Sequence, residues 1–200
     1  MDQDILRISP EQAMSRALSA GVTFFQYRSK KHDRKSVYET SLRLASLAAD
    51  AGAMFIVNDH ADIAQAVDAD GVHLGQDDLP IEKARKILGP GKVIGISTHS
   101  LAQAREAEQQ GADYIGFGPI FPTATKDAGV IQGLKTLRII RHSISIPIIA
   151  IGGITHTTVT EVVRAGADGV AVISALLSAP DIQQSSEDML RIMRKSGGDT

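Results

Sequence analysis

Short apolar runs alternate along this chain with longer stretches in which apolar positions recur at helical spacing. The runs are Gly21–Tyr27 (GVTFFQY), Ala53–Asn58 (AMFIVN), Gly71–Gly75 (GVHLG), Lys92–Ser97 (KVIGIS), Tyr114–Ile120 (YIGFGPI), Ile146–Gly152 (IPIIAIG) and Gly169–Ser174 (GVAVIS). They are close to continuously apolar, which predicts strands covered on both faces, as in a parallel sheet packed under helices. Between them, Ser9–Ala20, Arg34–Asp50, Ser100–Gln110, Thr157–Ala165 and Asp181–Lys195 read as amphipathic helices. A glycine punctuation recurs where helix gives way to strand: Gly21, Gly52, Gly111 and Gly166 each stand just before an apolar run. Glycine there fits a helix C-terminus, which often needs a left-handed residue.

Repeated βα units of this kind predict an α/β chain, specifically a (β/α)8 TIM barrel forming one catalytic domain over residues 1–200. The seven runs leave the barrel one strand short, and only Asp2–Ile8 (DQDILRI) is available before the first helix. The first strand is therefore expected to be short or missing. Either Ile5–Ile8 supplies a stunted version or the sequence starts late. A doubly wound sheet is the competing architecture. It usually has a glycine-rich dinucleotide fingerprint after its first strand, and neither G-x-G-x-x-G nor a P-loop occurs here.

Composition narrows the function. The 200 residues are 43% apolar and 22% charged with a formal net charge of −2, ordinary for a globular domain. With no long run of like charge, nucleic acid is not expected as a partner. No apolar stretch approaches the roughly 20 residues needed to span a bilayer. The first residues lack a signal-peptide pattern, so a cytoplasmic location is expected. The chain has no cysteine, which removes disulfides, thiolate catalysis and cysteine-ligated metals together.

In a barrel the active site lies at the C-terminal ends of the strands. Read in order, those ends are Gln26-Tyr27-Arg28-Ser29-Lys30, Asn58-Asp59, Gly75-Gln76-Asp77-Asp78, Ser97-Thr98-His99, the run from Pro119 to Lys126, Gly152-Gly153 and Ile173-Ser174. Asp59 and Asp78 follow two consecutive strands, and neighbouring strands lie only about 4.8 Å apart. Their carboxylates can therefore converge on one Mg²⁺. The competing reading is that each caps the helix that follows it, near Ala61 and near Pro80. Arg28, Lys30 and Lys126 add cations on the same rim; taken singly they read as solvated surface charge, but beside paired carboxylates they suggest a diphosphate held through Mg²⁺. Gly152-Gly153 and Ile173-Ser174 end the last two runs, where such folds often bind a phosphate. His73 lies inside an apolar run and reads as interior, whereas His99 could line the site. No zinc spacing and no nucleophile elbow is present.

Together these motifs, QYRSK (26–30), VND (57–59), HLGQDD (73–78), GIS (95–97), GPIFPTATK (118–126), AIGGI (150–154) and VIS (172–174), resemble the thiamine-phosphate synthase family in order and spacing. The resemblance implies an enzyme that joins an aminopyrimidine diphosphate to a thiazole phosphate with Mg²⁺. It implies that Gln26, Arg28, Lys30 and Asn58 hold the pyrimidine diphosphate, that Asp59 and Asp78 bind Mg²⁺, and that Ser97 and Lys126 contact the diphosphate. Thr123, Ala124 and Thr125 would line the thiazole phosphate pocket, and Gly153, Ile173 and Ser174 would bind its phosphate. Arg28, Lys30, Ser97 and Lys126 would be the catalytic group, acting on the leaving diphosphate. A homo-oligomer is compatible with this reading. The chain departs from the family at its start, where DQDILRISP replaces an apolar first strand. Two other readings stay open: a thiazole tautomerase-like isomerase of the same fold, and a non-catalytic phosphate-ligand binding paralogue.

Overall fold

A computed structural model of the chain describes residues 1–123 and 130–197. They group into two compact units, Met1–Ile94 with Leu176–Glu187, and Gly95–Ala175 with Asp188–Thr200. In the first unit, strands β1 (Phe24–Tyr27), β2 (Met54–Asn58) and β3 (Gly71–Leu74) alternate with helices α1 (Pro10–Ser19), α2 (Arg34–Asp50), α3 (Ala61–Ala66) and α4 (Ile81–Leu88). β4 (Val93–Thr98) begins at the end of this unit. In the second, β5 (Tyr114–Phe117), β6 (Ile148–Ile151) and β7 (Gly169–Ala171) alternate with α5 (Leu101–Gln109), α6 (Gly133–Arg141) and α7 (Val159–Arg164). The short α8 (Ser174–Leu177) and the long α9 (Ile182–Gly197) follow. Within the first unit β1 pairs with β2 and β2 with β3; within the second β4, β5, β6 and β7 pair in sequence. All these pairings are parallel, so the expected α/β alternation of seven strands with helices is the observed one.

The helices form where their caps and apolar stripes coincide. Ser9 accepts the backbone N–H of Gln12 while Gln12 returns a bond to the Ser9 N–H, a capping box ahead of Pro10 at the first helical position. Asp33 accepts the N–H of Ser36 at the head of α2, and Ser100 that of Gln103 at the head of α5. All four glycines of the helix-to-strand punctuation adopt positive φ, from 64° at Gly52 to 99° at Gly166. An aspartate shares in this punctuation. Asp70, just before β3, accepts the Phe55 N–H at 2.7 Å, and Asp168, just before β7, accepts the Ile148 N–H at 2.8 Å. Each thus ties the start of one strand to its neighbour, a role the sequence pattern does not disclose.

Each unit has its own apolar interior. Met14, Tyr27, Leu44, Phe55, Ile56 and Leu74 are fully buried in the first, and Ile115, Phe117, Ile120, Leu137 and Ile140 in the second. Burying side chains of this size contributes roughly 1.5–3 kcal/mol each. β3 and β5 are buried throughout, whereas β7 is only half-buried, so the continuous apolar runs are matched by full burial in the middle strands and not at every one.

The start of the chain differs from expectation. Ile5–Ile8 forms no strand; Gln3–Ile5 is a single 3-10 turn capped by Asp2. The pairing sits earlier, as one parallel bridge between Asp2 and Arg28. The physical reason is that Asp2 turns its carboxylate onto the Asp4 N–H, closing a tight turn that ends extended pairing at once.

Candidate functional site

Residues from the ends of β1, β2 and β3 gather in the first unit. Gln26 and Asn58 face one another, the Gln26 amide donating to Asn58 Oδ1 at 2.6 Å. Lys30 forms an ion pair with Asp59, the lysine side chain 52% exposed and the aspartate side chain 13%. Asp78 accepts the Gly75 N–H at 2.7 Å, an arrangement that folds the Gly75-Gln76-Asp77-Asp78 loop back on β3. The Asp59 and Asp78 carboxyls are close enough to interact with one another.

Neither aspartate caps a helix. His60 and Pro80 occupy the cap positions of α3 and α4, and neither helix receives a side-chain cap hydrogen bond. Asp59 also sits at φ 65°, a left-handed conformation uncommon outside glycine and costing on the order of 1 kcal/mol. Its N–H donates to the His73 carbonyl at 2.8 Å, which holds the turn. His73 itself is buried, as its apolar surroundings imply.

The electrostatics of the pair are split. Burial works to raise the Asp59 carboxyl, but the hydrogen bond and charge of Lys30 outweigh it, so Asp59 lies below the usual carboxylate range. Burial, joined by the adjacent Asp59, pushes the Asp78 carboxyl up, more than the Gly75 N–H pulls it down. Two like charges held together beside the Lys30 ammonium form an oxygen-donor set suited to a hard divalent cation. Among the described residues no cluster of three or more His, Asp or Glu is found, so a cation here would need water or ligand oxygens to complete its shell.

The second unit contains a cavity between the β4, β5, β6 and β7 ends. Ser97, Thr123, Gly153, Ile173 and Ser174 line it, together with His99. His99 Nδ1 donates to the Gly118 carbonyl at 2.6 Å, pinning the loop after β5. The approach of that loop to β6 leaves no room for a side chain: a Cβ on Gly153 would lie 2.5 Å from the Pro122 carbonyl oxygen. Gly153 also has φ 65°, so its identity is fixed twice over.

Thus in the first unit Gln26 meets Asn58, and Lys30, Asp59 and Asp78 come together, while Arg28 at the same strand end is paired with Asp2; in the second, Ser97, Thr123, Gly153, Ile173 and Ser174 line one cavity. Ala124, Thr125 and Lys126 lie outside the described residues. The sequence reading passed over Asp2 and Asp4. Asp2 forms an ion pair with Arg28 at 2.6 Å, and Asp4 accepts the Lys30 N–H at 3.2 Å. Their signal was present as two acids in a segment too polar for a buried strand.

The sequence profile of the family described as "Thiamine monophosphate synthase" matches residues 2–176. The chain belongs to this family. A thiamine-phosphate synthase of Shouchella clausii is 49% identical over 187 residues, covering 92% of this chain and 89% of that protein. One of Chloroflexus aurantiacus is 48% identical over 174 residues, 86% of this chain and 80% of that one. The solved structure of a thiamine phosphate pyrophosphorylase from Pyrococcus furiosus superposes with a TM-score of 0.91 at 42% identity, over 98% of this chain and 94% of that one. A structure described as native KDPGal, 16% identical with a TM-score of 0.73, shares the fold alone. Within the family's span, no helix of the described residues is long and apolar enough to cross a membrane.

Proposed function

We propose that this chain is a thiamine-phosphate synthase, condensing an aminopyrimidine diphosphate with a thiazole phosphate to give thiamine phosphate and diphosphate. As a member of its family it is a transferase of thiamine biosynthesis. The observation that supports the reaction most directly is the Asp59–Asp78 pair beside Lys30, with both carboxylates withheld from the helices they precede. An isomerase that handles no diphosphate has no use for such a pair, and a bare binding protein has none for the strained Asp59.

In this reading the first unit holds the pyrimidine diphosphate through Gln26, Arg28, Lys30 and Asn58. Asp59 and Asp78 would hold Mg²⁺, which when bound neutralises charge on the departing diphosphate. The bond from the pyrimidine methylene carbon to the diphosphate oxygen breaks, and the diphosphate takes the electron pair. Arg28, Lys30, Ser97 and Lys126 stabilise the growing negative charge by directed donors. The aminopyrimidine ring stabilises the resulting cation, and the thiazole nitrogen closes the new carbon–nitrogen bond with its lone pair. Thr123, Ala124 and Thr125 line the thiazole side, and Gly153, Ile173 and Ser174 hold its phosphate. The chain's task is positioning and charge stabilisation, with no covalent nucleophile. The finer fold, a closed (β/α)8 barrel, is part of the same proposal, with the Asp2–Arg28 bridge as remnant of its first strand.

The test mixes purified protein, Mg²⁺ and both phosphorylated precursors and follows thiamine phosphate and diphosphate. Stoichiometric release of the two products is expected. Folded protein that yields neither would overturn the proposal.

A further inference from the structure

We infer that Asp2 is a positioning residue for Arg28, presetting that guanidinium for a diphosphate ligand. This rests on the synthase reading for the ligand's identity. The contact itself rests on four bonds. The Arg28 N–H donates to the Met1 carbonyl and the Arg28 carbonyl accepts from the Gln3 N–H, both at 2.9 Å. Asp2 Oδ2 takes the Arg28 Nη1–H at 2.6 Å. Asp2 Oδ1 accepts the Asp4 N–H at 3.1 Å. Arg28 is therefore gripped at its backbone and at one end of its side chain by three consecutive residues.

The geometry separates support from competition. A carboxylate that took the guanidinium with both oxygens would occupy two of its donors at once. Asp2 is 3% exposed, and its second oxygen is committed to Asp4. It meets Arg28 at a single point and cannot swing to cover the fork. A guanidinium has five N–H donors. Here one goes to Asp2, and the buried Nε–H has no partner among the described residues. An arginine held by one corner, with donors in reserve, is already ordered before a ligand arrives. Binding then avoids the loss of rotamer freedom that a loose arginine would suffer. Asp4 acts alongside it on the neighbouring cation's backbone, accepting the Lys30 N–H at 3.2 Å. The two acids that make the segment unfit for a buried strand thus set the two cations of β1's end.

The experiment compares the full chain with Asp2→Asn, which keeps size and one acceptor but removes the charge, and with Asp2→Glu. Steady-state assays give KM for each substrate separately, and calorimetry gives the affinity for inorganic diphosphate with Mg²⁺. Asp2→Asn should raise KM for the pyrimidine diphosphate about tenfold, the scale of one side chain's lost preorganisation. Affinity for inorganic diphosphate should weaken alike, KM for the thiazole phosphate should stay unchanged, and Asp2→Glu should recover part of the loss. In an Arg28→Lys background Asp2→Asn should have little further effect, since its target is gone. Unchanged or tighter diphosphate binding in Asp2→Asn overturns the inference, as does a rise in both KM values accompanying a lower melting temperature. Wild-type protein that binds diphosphate but makes no product would sink the synthase reading alone and leave the Asp2 comparison intact.

Discussion

Replacing Asp59 by asparagine separates folding from chemistry at the point where the two aspartates meet. The substitution keeps shape, and asparagine tolerates a left-handed backbone as well as aspartate does, so the φ of 65° adds no new strain. It removes the partner of Lys30, whose side chain is about half exposed, and such a pair is worth roughly 0–1 kcal/mol. It also removes the like charge beside Asp78, which relieves repulsion of comparable size. No helix cap is lost, because α3 receives none from Asp59. The terms oppose one another, so net stability should change by about 1 kcal/mol or less. For a chain of this size that shifts Tm by roughly 2–4 °C. Turnover should fall by about 10²-fold or more, the scale seen when one directed electrostatic partner of a transition state is removed. Thermal melting and steady-state turnover on one preparation decide the matter, with added Mg²⁺ raising Tm in the wild type more than in the variant. A loss of activity that merely tracks a large loss of Tm would refute the reasoning and restore a structural role for Asp59.

Gly153→Ala should destabilise the chain by about 2–3 kcal/mol, combining a Cβ 2.5 Å from the Pro122 carbonyl oxygen with a left-handed φ, and should raise KM for the thiazole phosphate above that for its partner; chemical denaturation and kinetics read both, and a stable, fully active variant would contradict the described packing. Glu108 accepts hydrogen bonds from the Ser145 hydroxyl and N–H, which hold its carboxyl below the usual glutamate range. With its folded value depressed, its stabilisation is complete above the ordinary glutamate range and is lost as pH falls through the lower folded value. Glu108→Gln should therefore melt lower than wild type near neutrality, and the gap should close in acid; a gap independent of pH would show that the charge contributes nothing.

How much could be read from sequence varied with the kind of signal. The strands were legible because continuous apolar runs between glycine signals have few alternatives, and each observed strand lies in or within one residue of its run. The runs were longer than the strands, since an apolar residue at a strand's end stays buried after its backbone has left the ladder: Ile120 is buried three residues beyond β5. The helical stretches read from Ser9, Arg34 and Ser100 were legible through their apolar spacing, and the side-chain caps at Ser9, Asp33 and Ser100 fix their starts in the structure. Gln26, Asn58, Asp59 and Asp78 were legible as strand-end polar residues, a positional argument that parallel strands make possible. The roles of Asp2, Asp70 and Asp168 were not legible, because each acts on a partner distant in sequence that no local pattern names.

The cap positions also argue for what the aspartate pair is for. Ser9, Asp33 and Ser100 cap α1, α2 and α5, each cap worth about 1 kcal/mol, whereas α3, α4, α6 and α7 have no side-chain cap. At α3 and α4 an aspartate stands one or two residues before the cap position, yet neither helix has a side-chain cap. Asp59 instead holds a left-handed backbone and faces the Asp78 carboxyl. Two unfavourable features, a strained residue and two facing carboxylates, therefore coincide at one end of β2 and β3. Independent accidents of packing would scatter over the fold. Their coincidence follows if the carboxylates are kept for a cation that folding alone does not require, since its binding would remove the repulsion that the ligand-free protein retains.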